Sequence, residues 1–220
     1  MRILSRHLCY ARTVTCKLKQ PMNFDLEDKL NEYVKRNDLD SAIRIAESEL
    51  SKIPKTDFHQ LIGMNLLHME SELDKYISNF YSSVKLKYVL SFGKKLKAFY
   101  CEMNGFTINY DRWFIDLFSF SEIGQKDYEW LADYDHLTKK DLTLTGFENL
   151  QKVYEDVYKN KKYEIPEIEK AYEIAELVII LRLQELFRET YKSAKSNGKK
   201  WTEFPMFVTA HDYEMIYRTK

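Results

Sequence analysis

From residue 25 onward, apolar side chains recur every third or fourth position through most of the chain, and the period shortens to two in a central stretch and again near the C-terminus. Leu26, Leu30, Tyr33 and Val34 fall at helical spacing, and Asn37-Asp38 interrupts them. A second series, Ala42, Ile43, Ile45, Ala46, Leu50 and Ile53, ends at Pro54, with Asp40 as its expected cap. Asp57 opens a longer helical series, with Gln60 as a capping-box partner. That series runs from Phe58 to Val84, and Gly63 and Asn65 break or bend it.

After Tyr88 the pattern changes. Phe99, Cys101 and Met103 alternate with Tyr100 and Glu102, and Phe106, Ile108 and Tyr110 alternate with Thr107 and Asn109. Asn104-Gly105 lies between them, so a two-residue hairpin is expected, with Met103 opposite Phe106 and Cys101 opposite Ile108. The stretch 112–120 is apolar on both alternating faces except at Asp116, as in a central strand. A short helix is expected over 147–158. A long one is expected over 166–197, with Pro166 in its first turn, acids early, lysines late and Gly198 beyond its end. Its centre, 177–183, is apolar nearly all round, which predicts a helix crossing the core. A last strand is expected over 204–211, with Pro205 marking its start or an edge.

Together these elements predict an α+β fold. A helical N-terminal part packs on a small antiparallel sheet, together with a long buried C-terminal helix. The expected division is a basic N-terminal extension over 1–22 and a single α+β domain over 23–220, in which 23–56 is the helical hairpin and 57–220 the main body. The hairpin, with its small alanines and terminal proline, resembles one tetratricopeptide-type unit; such units stack on neighbours, and a single copy is seen.

Composition narrows the function classes. The 34 basic and 34 acidic residues leave no overall excess for phosphate binding. Three cysteines without a CxxC spacing suit reduced thiols in a cytoplasmic compartment. Residues 1–21 carry Arg2, Arg6, Arg12, Lys17 and Lys19 before the first acid at Asp25, which fits an organelle-targeting segment, a plain tail or a strand. No apolar run is long enough to span a bilayer, so no membrane partner is expected.

Charge is nevertheless polarised locally. Over 75–101 there are six lysines, Lys75, Lys85, Lys87, Lys94, Lys95 and Lys97, and no carboxylate. Over 98–137 aromatic and acidic residues interleave, with only Arg112 and Lys126 as basic residues. Such a surface chooses partners by the sign of its field. The reading this supports is a non-enzymatic protein-binding protein, of inhibitor, immunity or adaptor type. Tyr128, Trp130 and Tyr134 would supply contact area to a basic protein partner, and Asp127, Glu129, Asp133 and Asp135 the field.

Four other chemistries are open to these residues. The acids of 127–141 with His136 could hold a divalent cation, but Thr138 stands where a calcium loop needs glycine and Leu144 where it needs the closing acid, so no metal and no cofactor is expected. Asp116 and Arg182 each interrupt an apolar run and could face one another, as a structural ion pair or as an active-site acid with an anion-binding arginine. His211, with Asp212 and Glu214 after it, could serve as a general base, or join Asp116, Asp133 and Asp135 in a metal-dependent hydrolase or nuclease; the plain reading is a strand terminus. The lysines of 85–97, with Tyr81, Tyr88 and Phe92 among them, form a possible nucleic-acid stripe or a solvated helix end. The sequence holds no Gly-x-Ser-x-Gly turn, no Gly-x-Gly-x-x-Gly and no Walker loop.

Overall fold

The computed structural model describes residues 24–219 except Phe92, Thr107, Ile108, Tyr110, Gln125 and Lys126. The N-terminal extension, with its targeting, tail and strand readings, lies outside the described residues. The first hairpin forms from helix α1 (Phe24–Lys35) and helix α2 (Leu39–Ser51). Asp38, not Asp40, caps α2: its side chain accepts the N–H of Ser41 at 3.2 Å, while Asp40 turns outward to Arg188. The expected long helix starts late. A 3-10 turn over Asp57–Leu61 is capped by Thr56 with His59, in place of Asp57 with Gln60, and Gly63 at φ +82° breaks the chain. Helix α3 then runs over Glu70–Leu90.

The sheet is small and mixed. Strand β1 (Ala98–Asn104) pairs antiparallel with β2 (Phe114–Phe120) and parallel with β5 (Met206–Ala210). The outer edge of β2 is met by two short strands, β3 (His136–Leu137) and β4 (Leu142–Thr143), and β6 (Tyr217–Arg218) borders β5. β5 is therefore internal, and Pro205 marks its start, with its carbonyl accepting the N–H of Phe99.

The expected hairpin at Asn104-Gly105 does not form. Met103 lies opposite Ile115 and Cys101 opposite Leu117, so the chain makes a longer excursion between the strands. The reason is packing. Phe106 turns inward with its backbone in the left-handed region, at φ 55°. Its ring packs edge-on to Trp113 at 5.5 Å and against Tyr154 at 5.6 Å. Burying that ring outweighs the local preference for a two-residue turn.

Helix α4 (Glu148–Lys159) and helix α5 (Pro166–Ser196) complete the fold, both where the periodicity places them. α5 packs on β5 and α3 and also on α2, and its side chains from Ile174 to Leu181 are all buried. Gln184 fixes it to the sheet: Nε2 donates to the carbonyls of Val208 at 3.2 Å and Met215 at 2.7 Å. The chain is α+β, with the main core between helices and one sheet face. Ala98, Tyr100, Phe120, Phe207 and Ile216 form a second, smaller core on the opposite face. No helix among the described residues is long and apolar enough to cross a membrane.

Candidate functional site: the acidic–aromatic segment over the second sheet face

Alternation along β1 and β2 sends Phe99, Cys101, Met103, Ile115 and Leu117 to the helical side and leaves Tyr100, Phe118 and Phe120 on the other. The segment 121–135 covers part of this second face. Trp130 stands edge-on to Phe120 at 4.9 Å and to Phe207 at 5.2 Å. Tyr134 packs on Phe118 at 4.9 Å and Tyr128 on Phe207 at 6.0 Å. Each ring thus rests an edge or a face on the sheet. Tyr128 and Tyr134 remain 44% and 42% exposed, while Trp130 is half-buried. Gly124 lies so close to the Trp130 ring that an added Cβ would sit 2.4 Å from Cδ1.

The carboxylates divide by role. Asp135 closes the segment at its root: Oδ2 accepts the Tyr88 hydroxyl at 3.0 Å and the Ser121 N–H at 2.6 Å, and Lys94 pairs with Oδ1. Burial pushes its carboxyl up, but the donors from Lys94, Ser121 and Tyr88 outweigh that and hold it at about 2. Asp127 accepts the N–H of Glu129 at 3.2 Å and starts the 3-10 turn Glu129–Ala132. Glu129 and Asp133 are exposed, and neither is in an ion pair among the described residues. Asp135 and Trp130 therefore anchor the segment, and Tyr128, Glu129, Asp133 and Tyr134 are presented by it.

A second cluster lies on the uncovered part of the same face. Glu102 of β1 is the cross-strand neighbour of Asp116 on β2. Its Oε1 meets Nδ1 of His211 at 3.0 Å and its Oε2 accepts the Tyr100 hydroxyl at 2.9 Å. The hydrogen bond to Glu102 raises the His211 imidazole above its usual value, against the opposing effect of burial. Asp212 lies 3.6 Å from Nε2. Asp116 accepts the Thr138 hydroxyl at 3.1 Å, and its carboxyl is raised by burial and then by Asp141 and Glu102. Asp116 and His211 thus share Glu102 as a neighbour. Glu102 was legible only as a lone acid inside an apolar strand, the same signal that marked Asp116.

Arg182 does not belong to this cluster, and the expected Asp116–Arg182 pairing is not formed. Its guanidinium lies between Glu47 at 2.7 Å and Glu185 at 2.8 Å, on the side of α5 that faces α2. Asp116 projects from the sheet face turned away from α5, so the strand's own alternation separates the two. Asp133 and Asp135 do not join Asp116 and His211 in a chelating group. No group of three or more His, Cys, Asp and Glu side chains among the described residues is arranged to hold a metal ion. Cys101 is fully buried, and burial pushes its thiol well up.

Along the lysine stripe, Tyr88 is turned inward to Asp135 and Ser119. Its ring is buried, which withholds one of the faces expected to stack on bases. Sequence reasoning also missed Glu176, an acid fully enclosed on α5 that receives the Tyr213 hydroxyl. Burial pushes its carboxyl up to about 8, and Glu173 and Glu27 add repulsion. Compared with protein-family models, curated proteins and solved structures, the chain matches none of the three.

Proposed function

We propose that this chain is a protein-binding protein whose docking face is the anchored segment 121–135, and that its partner is a protein with a basic surface. One observation carries the reading: half-exposed Tyr128 and Tyr134 flank the exposed carboxylates Glu129 and Asp133, on a segment whose root is fixed by Asp135 and Trp130. Tyrosines supply large, stiff contact area at little entropic cost, and preorganisation lowers the cost of ordering a loop on binding. The unpaired acids steer a cationic partner and set its register. An inhibitor or immunity-type protein that fills a basic cleft needs these properties, and so does an adaptor.

The test is affinity capture from native lysate with the wild type, Tyr128→Ala/Tyr134→Ala, and Glu129→Lys/Asp133→Lys, each first checked for an unchanged melting temperature. The reading expects a basic protein retained by the wild type and lost by both variants. Retention by both variants, or no basic protein retained by the wild type, overturns it. Trp130→Ala is a poor probe, because the ring supports the segment from beneath.

A further inference from the structure

The acidic–aromatic face has a neighbour of opposite character. At the C-terminal end of α3, Leu86, Val89 and Leu90 are 62%, 75% and 75% exposed. Their i, i+3, i+4 spacing sets them on one stripe of the helix. Lys85, Lys95 and Lys97 around them are exposed, and Lys87 is half-buried. Lys94 is the one lysine of this end held in an ion pair among the described residues, and its partner is Asp135. That contact is the seam between the two patches. Tyr88 crosses it as well, donating to Asp135 and packing edge-on to His136 at 5.1 Å. On the acidic side of the seam the exposed apolar side chains are Ile123, Tyr128, Tyr134 and Leu137. Among the described residues, only Ile62 and Ile165 are large apolar side chains as exposed as these and located elsewhere.

We propose that the chain self-associates as a two-fold dimer, in which the basic–apolar end of α3 in one copy docks on the acidic–aromatic segment of the other, and reciprocally. A two-fold contact is self-complementary: each patch must find its complement on the same molecule. Here a cationic aliphatic patch adjoins an anionic aromatic one, so an axis near the seam forms both pairings at once. The rings and aliphatic side chains are buried together, and the charges fix the register. With 34 basic and 34 acidic residues, no net charge opposes association.

Other occupants suit the patch less well. Single-stranded nucleic acid calls for exposed aromatic faces, and the exposed apolar side chains at this end of α3 are aliphatic. An anionic membrane would be repelled by Glu129 and Asp133 on the adjoining patch. The dimer rests on the reading that segment 121–135 is a docking face, and a separate basic partner would compete with the second copy for it.

The experiment is a charge swap on the full chain, read by sedimentation equilibrium or light scattering over roughly a hundredfold range of concentration. The wild type should double its mass as concentration rises. Lys85→Glu/Lys95→Glu and Glu129→Lys/Asp133→Lys, each folded by circular dichroism, should both weaken the dimer by about tenfold or more. Mixed in equal amounts, the two variants should recover a heterodimer, since each reversed patch meets its complement. A wild type that stays monomeric, a dimer indifferent to both reversals, or a mixture that fails to recover overturns the proposal. So does a monomer that sediments with phosphatidylserine vesicles through Lys85 and Lys95. A monomeric wild type that still captures a basic protein through Glu129 and Asp133 removes the dimer alone; a charge-sensitive dimer that captures nothing removes only the separate partner.

Discussion

Replacing Asp135 with alanine should loosen segment 121–135 while leaving the helical core intact. The carboxylate receives the Ser121 N–H, the Tyr88 hydroxyl and Lys94, so its loss leaves three donors at the root of the segment without this acceptor. Hydrogen bonds to a charged acceptor contribute about 1.5–3 kcal/mol each, and less where solvent reaches them. The depressed carboxyl, about 2 against an ordinary 3.8, expresses the same contacts as a difference between the two protonation states. That difference corresponds to about 2.4 kcal/mol before allowance for solvent screening, and about 1–2 kcal/mol after it. A melting temperature lower by about 3–6 °C is then expected for a chain of this size.

Linkage supplies a second readout. A carboxyl whose folded value lies below its unfolded one adds stability that is present above about pH 3.8 and disappears as pH falls through about 2. The contribution of Asp135 to acid destabilisation in that window should therefore be missing from Asp135→Ala and from Asp135→Asn. Thermal melts at several pH values measure both effects, and hydrogen exchange should show faster exchange across 121–135 but not in α5. A melting temperature within about 1 °C of wild type, with an unchanged acid limb, would refute the anchoring role.

Gly124→Ala should cost about 1–3 kcal/mol, because the new Cβ would lie 2.4 Å from Trp130 Cδ1 and push the ring off Phe120; an unshifted denaturant midpoint would show that the segment yields freely. For His211, the raised imidazole value means its stabilisation is complete below about pH 6.5 and is lost as pH rises through the folded value; Glu102→Gln should bring the imidazole down in an NMR titration and flatten that slope. Glu176, held at about 8, binds a proton in the folded state that it lacks unfolded, so its effect lowers stability as pH rises from about 4.5 to about 8. Glu176→Gln should flatten this decline in denaturant titrations and leave the protein relatively more stable at the alkaline end, whereas an unchanged slope would contradict the assignment.

Local signals were enough for most of the helices, although the series that opens at Asp57 gives a 3-10 turn first and α3 starts only at Glu70. The capping and charge pattern of 166–197 reproduces α5 almost to its ends, because N1 proline, early acids and terminal glycine act within a turn or two of themselves. The alternation of Phe99, Cys101 and Met103 likewise marked the core face of β1, since a strand's faces follow from residue parity alone, whereas 112–120, apolar on both faces, did not single out Ile115 and Leu117. Pairing required the tertiary structure. Asn104-Gly105 is a strong turn signal over two residues, but it lost to burial of Phe106 against Trp113, just beyond the turn, and Tyr154, far along the chain. The parallel pairing of β1 with β5 joins segments separated by β2, α4 and α5, and no local period carries that information.

The same division holds at the candidate site. The sequence by itself determined that acids and rings interleave over 121–135 and that a lysine-rich stretch precedes them, because composition is a property of the chain. Which of those side chains hold the fold and which are offered to solvent was decided only in three dimensions. Asp135 and Trp130 went to anchorage because Tyr88, Phe120 and Phe207 converge on them from other elements and Ser121 closes on Asp135 from the segment's start, and Glu129 and Asp133 stayed exposed because no other element converges on them. Burial and hydrogen bonding depend on what the rest of the chain brings near a residue, and that is fixed only when the sheet and helices have packed.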